Sequence, residues 1–598
     1  MIRYVVTPAD PRAHRFAVAC TVATPDPQGQ VFRLPSWIRG SYLVRDFARH
    51  VMTVAARAGG TAVAVERLDK RSLRCAPVPP SADAPLTLEI TVYAYDESVR
   101  KAFLDERRGF FNGSSLFYAA AGRESEPVEV EVRRPAGIAD GPAWRVATAM
   151  APQQVDADGF GTYRAAGYEE AIDHPFELGT FRTVDFSADG IPHRFVLSGR
   201  CDPDAERLAA DAAKICSAQR ALFGHEPALD HYLFLTRVVG AGYGGLEHRA
   251  SSALTCSRSD LPRAGMSGTP REYRTFLGLV SHEYFHLWNV KRITPERFAR
   301  SDLGTEAYTG DLWHYEGVTS YYDDLMLLRA GVIDAPAYLD LLAEAATRLS
   351  RTPGRKQHSL VEASFEAWLK YYQPDENTPN ATVSYYVKGA LAALCLDLHL
   401  RQHSSITLDD VMRELWRRHG RAGKAVPERG LERLAAELSG LDLSRELDAW
   451  LRSTQELPLA ALLEAFGVSA EPRAAVGDAD PGGRIAAKAA GATLGLRLKP
   501  GELAVAHVAS GRAAQRAGVS GGDVLVALDG LKLAPGLWPH RLLALAPGQR
   551  CTLHYFRGDE LLSAELTAEA PPLDSWTLTL ATSPPAEVLT RRKAWLGA

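Results

Sequence analysis

Ser281-His282-Glu283-Tyr284-Phe285-His286-Leu287-Trp288-Asn289 sets two histidines four residues apart, with a glutamate directly after the first. On an α-helix positions i and i+4 share a face, so both imidazoles aim at one point and Glu283 stands beside it. Phe276, Leu277, Leu279, Val280, Tyr284, Phe285, Leu287 and Trp288 give the same stretch a broad apolar surface, which predicts a buried helix over 271–291. Neutral imidazole is a good zinc ligand, and a catalytic zinc site keeps one position open. The bland alternative is a pair of core histidines with a solvated glutamate. It loses ground only if further ligands and reacting groups are found.

A third ligand has to come from elsewhere in the chain. Downstream, Asp311-Leu-Trp-His-Tyr-Glu316-Gly-Val-Thr-Ser-Tyr-Tyr-Asp-Asp-Leu-Met-Leu-Leu328 has a helical pattern with Glu316 in its first turns. A carboxylate on a second helix would complete a His₂Glu set of the thermolysin type. Glu306 competes, but it lies in Gly-Thr-Glu-Ala-Tyr-Thr-Gly-Asp, which reads as loop. Thr319 and Ser320, one turn beyond Glu316, either orient ligands or bond to backbone.

Working outward, the composition is that of a globular protein. Of 598 residues, 46% are hydrophobic and 23% charged, enough apolar material for three or four domain cores. With 68 basic against 72 acidic residues there is no polycationic surface, so no nucleic-acid partner is expected. No run approaches the ~18 apolar residues of a membrane span, so no membrane partner is expected either. Met1–His14 has no basic head, apolar core and cleavage site in succession. The seven cysteines are scattered and never in C-x-x-C, which suits a reducing compartment, so a cytoplasmic location is expected.

Three regions follow from periodicity. Up to about residue 170 the pattern alternates, as in 62–68, 86–95 and 128–134, which predicts an all-β, sandwich-like domain over 1–170. Over 171–472 the period moves toward 3.6, in 204–223, 271–291, 312–330, 383–402, 429–439 and 442–453. A strand at 231–239 precedes the glycine-rich turn 240–245, so this domain is mostly helical with a small sheet. The small, polar, Pro/Gly-rich segment 475–484 marks a boundary, a β-rich module follows over 485–572, and 573–598 is left as a C-terminal tail. In the first region Leu34–His50 mixes Trp37, Tyr42 and Phe47 with Arg39, Arg45, Asp46 and Arg49. It reads first as a loop packed on the next domain, and second as a loop that touches substrate.

These motifs together resemble known zinc peptidases. His282–His286 followed by Glu316-Gly-Val-Thr-Ser-Tyr-Tyr resembles the aminopeptidase N arrangement; Gly244-Gly-Leu-Glu-His248 resembles its G-A-M-E-N edge strand, and Tyr386-Val-Lys-Gly389 its Y-E-K-G motif. Pro35-Ser-Trp-Ile-Arg-Gly-Ser-Tyr-Leu-Val-Arg-Asp-Phe47 brings the whole chain closer to the glycyl aminopeptidase family, which joins an N-terminal β domain, a gluzincin catalytic domain and a C-terminal PDZ domain. Two departures stand out: 29 residues lie between His286 and Glu316, more than in aminopeptidase N, and His248 stands where that family has Asn.

The resemblance implies one zinc ion per chain on His282, His286 and Glu316, with Glu283 as general base. It implies Tyr386 as hydrogen-bond donor to the developing oxyanion, with Tyr385 beside it as a second candidate phenol. Glu247 would meet the free α-amine of a peptide substrate, and Gly244 and Gly245 would let substrate backbone approach the edge strand. It further implies that residues are removed from the N-terminus, small ones and glycine in particular. In the C-terminal module Leu494, Gly495 and Leu496 stand where a PDZ domain binds the carboxylate of a C-terminal peptide ligand. Two other functions remain open on sequence: a peptide-binding scaffold with a silent or structural metal site, and a zinc endopeptidase.

Overall fold

The computed structural model describes residues 1–78, 85–135, 143–477, 479–485 and 491–597. Residue 478 of the expected linker, residues 486–490 of the expected C-terminal module and Ala598 of the expected tail lie outside them. The chain forms two compact units, residues 1–307 with 416–426, and residues 308–415 with 427–598. Among the described residues no helix is long and apolar enough to cross a membrane.

The first unit begins with β structure, as the alternation requires. An eight-stranded sheet runs in the order Ala151–Val155, Gly161–Ala165, Val128–Val132, Ile2–Asp10, Arg15–Val22, Leu86–Tyr93, Val51–Ala58, Thr61–Val63. Alternate residues Ile2, Tyr4 and Val6, Leu86, Leu88 and Ile90, and Val128, Val130 and Val132 are buried on one face. Ile2–Asp10 pairs parallel with Val128–Val132, and the remaining pairs are antiparallel. The alternating stretch 62–68 is not one strand. Thr61–Val63 completes the large sheet, whereas Val65–Arg67 pairs with Ser72–Cys75 in a separate four-stranded sheet. Val63 and Val65 are each only half-buried, so no continuous buried face holds the two halves in one strand.

The same unit then builds a five-stranded sheet in the order Phe181–Ala188, Ile191–Ser198, Tyr232–Val239, Ser251–Ser257, Tyr243–Glu247. Its three central strands are parallel, and the last is an antiparallel edge formed by the hairpin return of Tyr243–Glu247. The glycine-rich stretch is therefore turn only at its start. Helix Ala205–Leu222 is capped by Asp204, whose side chain accepts from the Arg207 N–H at 3.1 Å. Helix Arg271–Phe285 buries Tyr273, Phe276, Leu277, Val280, Tyr284 and Phe285. It stops at His286 rather than continuing to 291.

The second unit is helical first: Thr319–Arg329, Ala335–Ser350, Val387–His403, Leu408–Leu415, Gly430–Ser439, Ser444–Leu451 and Leu459–Glu464. Asp334 caps Ala335–Ser350 through the Ala337 N–H at 2.9 Å, and Pro336 occupies its first turn, where no N–H is needed. A β-rich module follows, with strands Leu496–Leu498, Val505–Val508, Val524–Leu528, Leu531–Lys532, Arg550–Arg557 and Glu560–Thr567 around a core that includes Leu494, Val505, Leu525, Leu553 and Leu566. The segment read from sequence as a tail has regular structure: Leu573–Leu580 pairs antiparallel with Val468–Ala474, and Ala586–Leu596 is a helix. The module thus sits between two strands that pair with each other.

Candidate active site

In the first unit the pair His282 and His286 falls at the end of helix Arg271–Phe285, with His286 as the residue that closes it. Their Nε2 atoms face each other at 3.1 Å. His286 Nδ1–H donates to the Asn289 carbonyl at 2.9 Å, which fixes the tautomer and leaves Nε2 with a lone pair. The spacing of the two ring nitrogens suits a shared cation, since ligands at 2.0–2.1 Å in a tetrahedral zinc site stand roughly 3.3 Å apart. The donor set therefore fits zinc.

The backbone that presents Asn289 is unusual. Val290 is a β-branched residue at φ +88°, a conformation that carries strain. The turn it makes aims the Asn289 carbonyl at His286 and sends Lys291 to Asp173, with Nζ 2.6 Å from the carboxylate. Asp173 also lies 3.3 Å from His248 Nδ1 and accepts from the Arg249 N–H at 3.0 Å. Burial alone would raise the Asp173 carboxyl, but the Lys291 charge and the hydrogen bond from His248 outweigh it and hold the group far below the usual range, while burial lowers His248 itself. His248, the departure from the asparagine pattern, thus serves a buried charge network.

Glu283 and Glu247 are both buried, and Glu247, Glu283 and His286 each offer an atom within 4.8 Å of the others. Glycines make this possible. A Cβ on Gly245 would lie 1.9 Å from Glu283 Oε1, and one on Gly40 would lie 2.1 Å from Glu247 Oε1. Gly40, at φ +95°, belongs to the segment Leu34–His50. That segment packs on residues 298–305 of the same unit: Trp37 Nε1 donates to the Thr305 carbonyl at 2.8 Å, Tyr42 stacks on Phe298 at 5.4 Å, and Arg39 bonds to the Phe298 carbonyl. The loop is anchored by packing, as the first reading expects, and its Gly40 stands against the Glu247 carboxylate. Gly244 lies on the edge strand, where an added Cβ would come no nearer than 3.9 Å to Arg100.

The second unit holds the other candidates. Glu316 is buried in a π-helical turn, Trp313–Val318, that opens the helix continuing through Arg329. Such turns are rare and concentrate at functional sites. Gly317 and Gly389 explain the local packing: a Cβ on Gly317 would meet Gly389 Cα at 2.5 Å and the Tyr385 carbonyl at 2.9 Å. Two helix backbones touch at this point, and the contact brings the Tyr385–Tyr386 segment to Glu316. Thr319 Oγ1 donates to the Tyr315 carbonyl at 2.7 Å, so it bonds to backbone. Glu306, in the first unit, is an exposed loop residue.

Tyr386 Oη lies 3.1 Å from Tyr372 Oη, and Tyr385 Oη donates to Tyr372 Oη at 3.3 Å. The Tyr371 ring lies tilted against that of Tyr386, 5.5 Å between centroids. Burial first, then the charge of Glu316 and the neighbouring phenols, pushes the Tyr386 hydroxyl well above its ordinary value, so it stays protonated and able to donate. Tyr371 and Tyr372 were missed in the sequence reading. Their signal is one Tyr-Tyr pair of three, beside Tyr321-Tyr322 and Tyr385-Tyr386, without any motif to single it out. In the C-terminal module Leu494 is buried in the core, Gly495 has φ +77° with its Cβ position filled by Arg512, and Leu496 opens a strand.

Comparison with known proteins adds the following. A family profile described as M61 glycyl aminopeptidase matches residues 275–392, and one described as the peptidase M61 N-terminal domain matches residues 3–180. The crystal structure of an aminopeptidase N family protein from Idiomarina loihiensis is similar over 100% of both chains, at 40% identity and a TM-score of 0.95. An M1 zinc metallopeptidase from Deinococcus radiodurans is similar over 77% of this chain and 94% of its own, at 15% identity and a TM-score of 0.47. The search of curated proteins finds no match.

Proposed function

Because the chain belongs to the M61 glycyl aminopeptidase family, and is thereby a zinc metallopeptidase that hydrolyses peptide bonds, we propose that it removes residues singly from peptides with a free N-terminus, glycine and other small residues first. The observation that carries the exopeptidase reading is the closeness of Glu247 to Glu283 and His286, all within 4.8 Å. The α-nitrogen and the carbonyl carbon of a first residue are roughly 2.5 Å apart. A carboxylate for the ammonium and groups serving the carbonyl must be about this close together, and an endopeptidase has no use for the former. The glycine preference rests on family membership.

We assign His282, His286 and Glu316 as ligands of one zinc ion per chain. Bound there, zinc supplies Lewis acidity that polarises a carbonyl and acidifies water. The chain's own residues do the rest. Glu247 holds the substrate ammonium, a charge pair made strong by burial on both sides. Glu283 takes a proton from the attacking water and delivers it to the leaving amine. Tyr386, kept protonated, donates a hydrogen bond to the oxygen that becomes negative as the carbonyl turns tetrahedral. Tyr385 and Tyr372 hold that phenol in place through the hydroxyl chain. The test is hydrolysis of glycyl anilides and their N-acetylated forms, with and without a chelator. Chelation is expected to abolish turnover and acetylation to block it. Equal cleavage of blocked and free substrates would defeat the exopeptidase assignment.

One feature of the second unit favours a further reading, that the C-terminal module is a PDZ domain with a usable groove. A cleft of about 1270 Å³, walled on one side by residues of the helical region such as Leu349, Arg355 and Leu457, is lined on the module's side by Thr493, Gly495, Leu496, Pro539, Leu542 and Leu543. That is a loop, an edge strand and one helix, the arrangement for capturing an extended C-terminal peptide. Fluorescence anisotropy of the intact chain with apolar peptides, free or amidated at the C-terminus, tests it. Binding that survives amidation would count against a carboxylate site.

A further inference from the structure

The short segment Asp96–Lys101 carries four charges. Lys101 Nζ pairs with Asp96 at 2.9 Å, and Glu97 pairs with Arg237. Arg100 is different. Its Nη2 donates to the Gly245 carbonyl at 3.0 Å, its Nε is buried with no hydrogen-bond partner, and among the described residues it forms no ion pair. It is half-buried, so water compensates its charge only in part. A guanidinium in that setting, facing one neutral carbonyl, is a receptor for an anion, and carboxylate matches its fork of donors.

Its position says which anion. Gly245 and Glu247 lie on one edge strand two residues apart, about 6.7 Å at the usual rise per residue. The Glu283 carboxylate stands against the Cβ direction of Gly245, so the reacting carbonyl belongs between Glu247 and the Arg100 end of the strand. An extended dipeptide measures about 6 Å from its α-nitrogen to its carboxyl carbon. With its amine on Glu247 and its carbonyl before Glu283, its carboxylate runs along the edge strand toward Gly245, the residue whose carbonyl Arg100 holds. We propose that Arg100 binds the C-terminal carboxylate of the substrate and that free dipeptides with a small first residue are the preferred substrate class. In a longer peptide the same place is taken by a neutral amide carbonyl, which gains less from a guanidinium. This inference rests on the reading of Glu247 as the ammonium site.

The test compares glycyl-alanine with glycyl-alanine amide on the zinc-loaded chain. The two differ only in the group that Arg100 meets. Wild-type kcat/KM is expected to favour the free acid by about 10- to 100-fold, the usual range for a charge-assisted hydrogen bond. Arg100→Ala is expected to bring the ratio to about one, and Arg100→Lys to keep part of it, since the charge survives and the fork does not. The ratio is internal to each variant, so a lowered folded fraction does not alter it. A wild-type ratio near one, or a ratio that persists in Arg100→Ala, overturns the proposal and leaves the aminopeptidase reading standing. Turnover of neither substrate by zinc-loaded protein overturns that reading, and this proposal with it.

Discussion

The two units hold chemically opposite sets of groups. In the first, two carboxylates and two imidazoles, Glu247, Glu283, His282 and His286, are packed close together on an edge strand and a helix end. In the second, Glu316 stands among hydroxyls, with Tyr371, Tyr372, Tyr385 and Tyr386 linked ring to ring and oxygen to oxygen. On the proposed reading the first set holds cations and moves protons. On that reading the second, apart from one carboxylate, donates hydrogen bonds without changing charge. The lesson is a division of labour: groups that change charge sit where glycines let them touch, and the donor is kept neutral by burial. Breaking either set should therefore leave different signatures.

The largest effect is expected from Glu283→Gln, which keeps shape and removes the base. The rate should fall by about 10³- to 10⁴-fold with zinc content unchanged, measured by steady-state kinetics alongside metal analysis. A modest loss would show that the first set does not carry the proton. Tyr386→Phe comes next, with kcat expected to drop about 10²- to 10³-fold and KM little altered. If Tyr385→Phe does this and Tyr386→Phe does not, the roles of the adjacent phenols are exchanged. For Glu247→Gln the expectation is a rise in KM of roughly 10- to 100-fold for unblocked substrates, because the ammonium loses its charged partner.

The smallest effect separates the units by pH. Burial pushes His193 down to about 4, and its Nε2 lies 3.0 Å from the hydroxyl of Tyr284 in the first unit's ligand helix. The unfolded chain takes up this proton from about pH 6.5 downward and the folded chain only near 4. Stability is therefore full above 6.5 and is lost as pH falls toward 4, by about 3 kcal/mol. Urea titrations of wild type and His193→Phe across that window should show a steeper acid slope in wild type. Equal slopes would remove His193 from the account.

How much was legible in sequence follows the same division. The helix of His282 and His286 and the strand before the glycine turn were readable, because apolar spacing and motif agree there. The extent of the helix was not, since the chain leaves it at His286 through Val290 at φ +88°, a conformation no β-branched residue advertises. The π-helical turn around Glu316 reads as ordinary helix in sequence, and the contact made there, Gly317 against Gly389, joins residues 72 apart. Gly40 could be seen as one glycine in an odd loop, but its approach to Glu247 is tertiary. The strand Leu573–Leu580 reads as tail in sequence because its partner, Val468–Ala474, precedes the whole C-terminal module.

Zinc stoichiometry of the purified chain and of its Glu316→Ala variant tests the central assignment most directly, by metal analysis after dialysis against a weak chelator. About one zinc per chain in the wild type, with most of it lost in the variant, is the result that His282, His286 and Glu316 as a joint ligand set requires. Full retention of zinc by Glu316→Ala would contradict it.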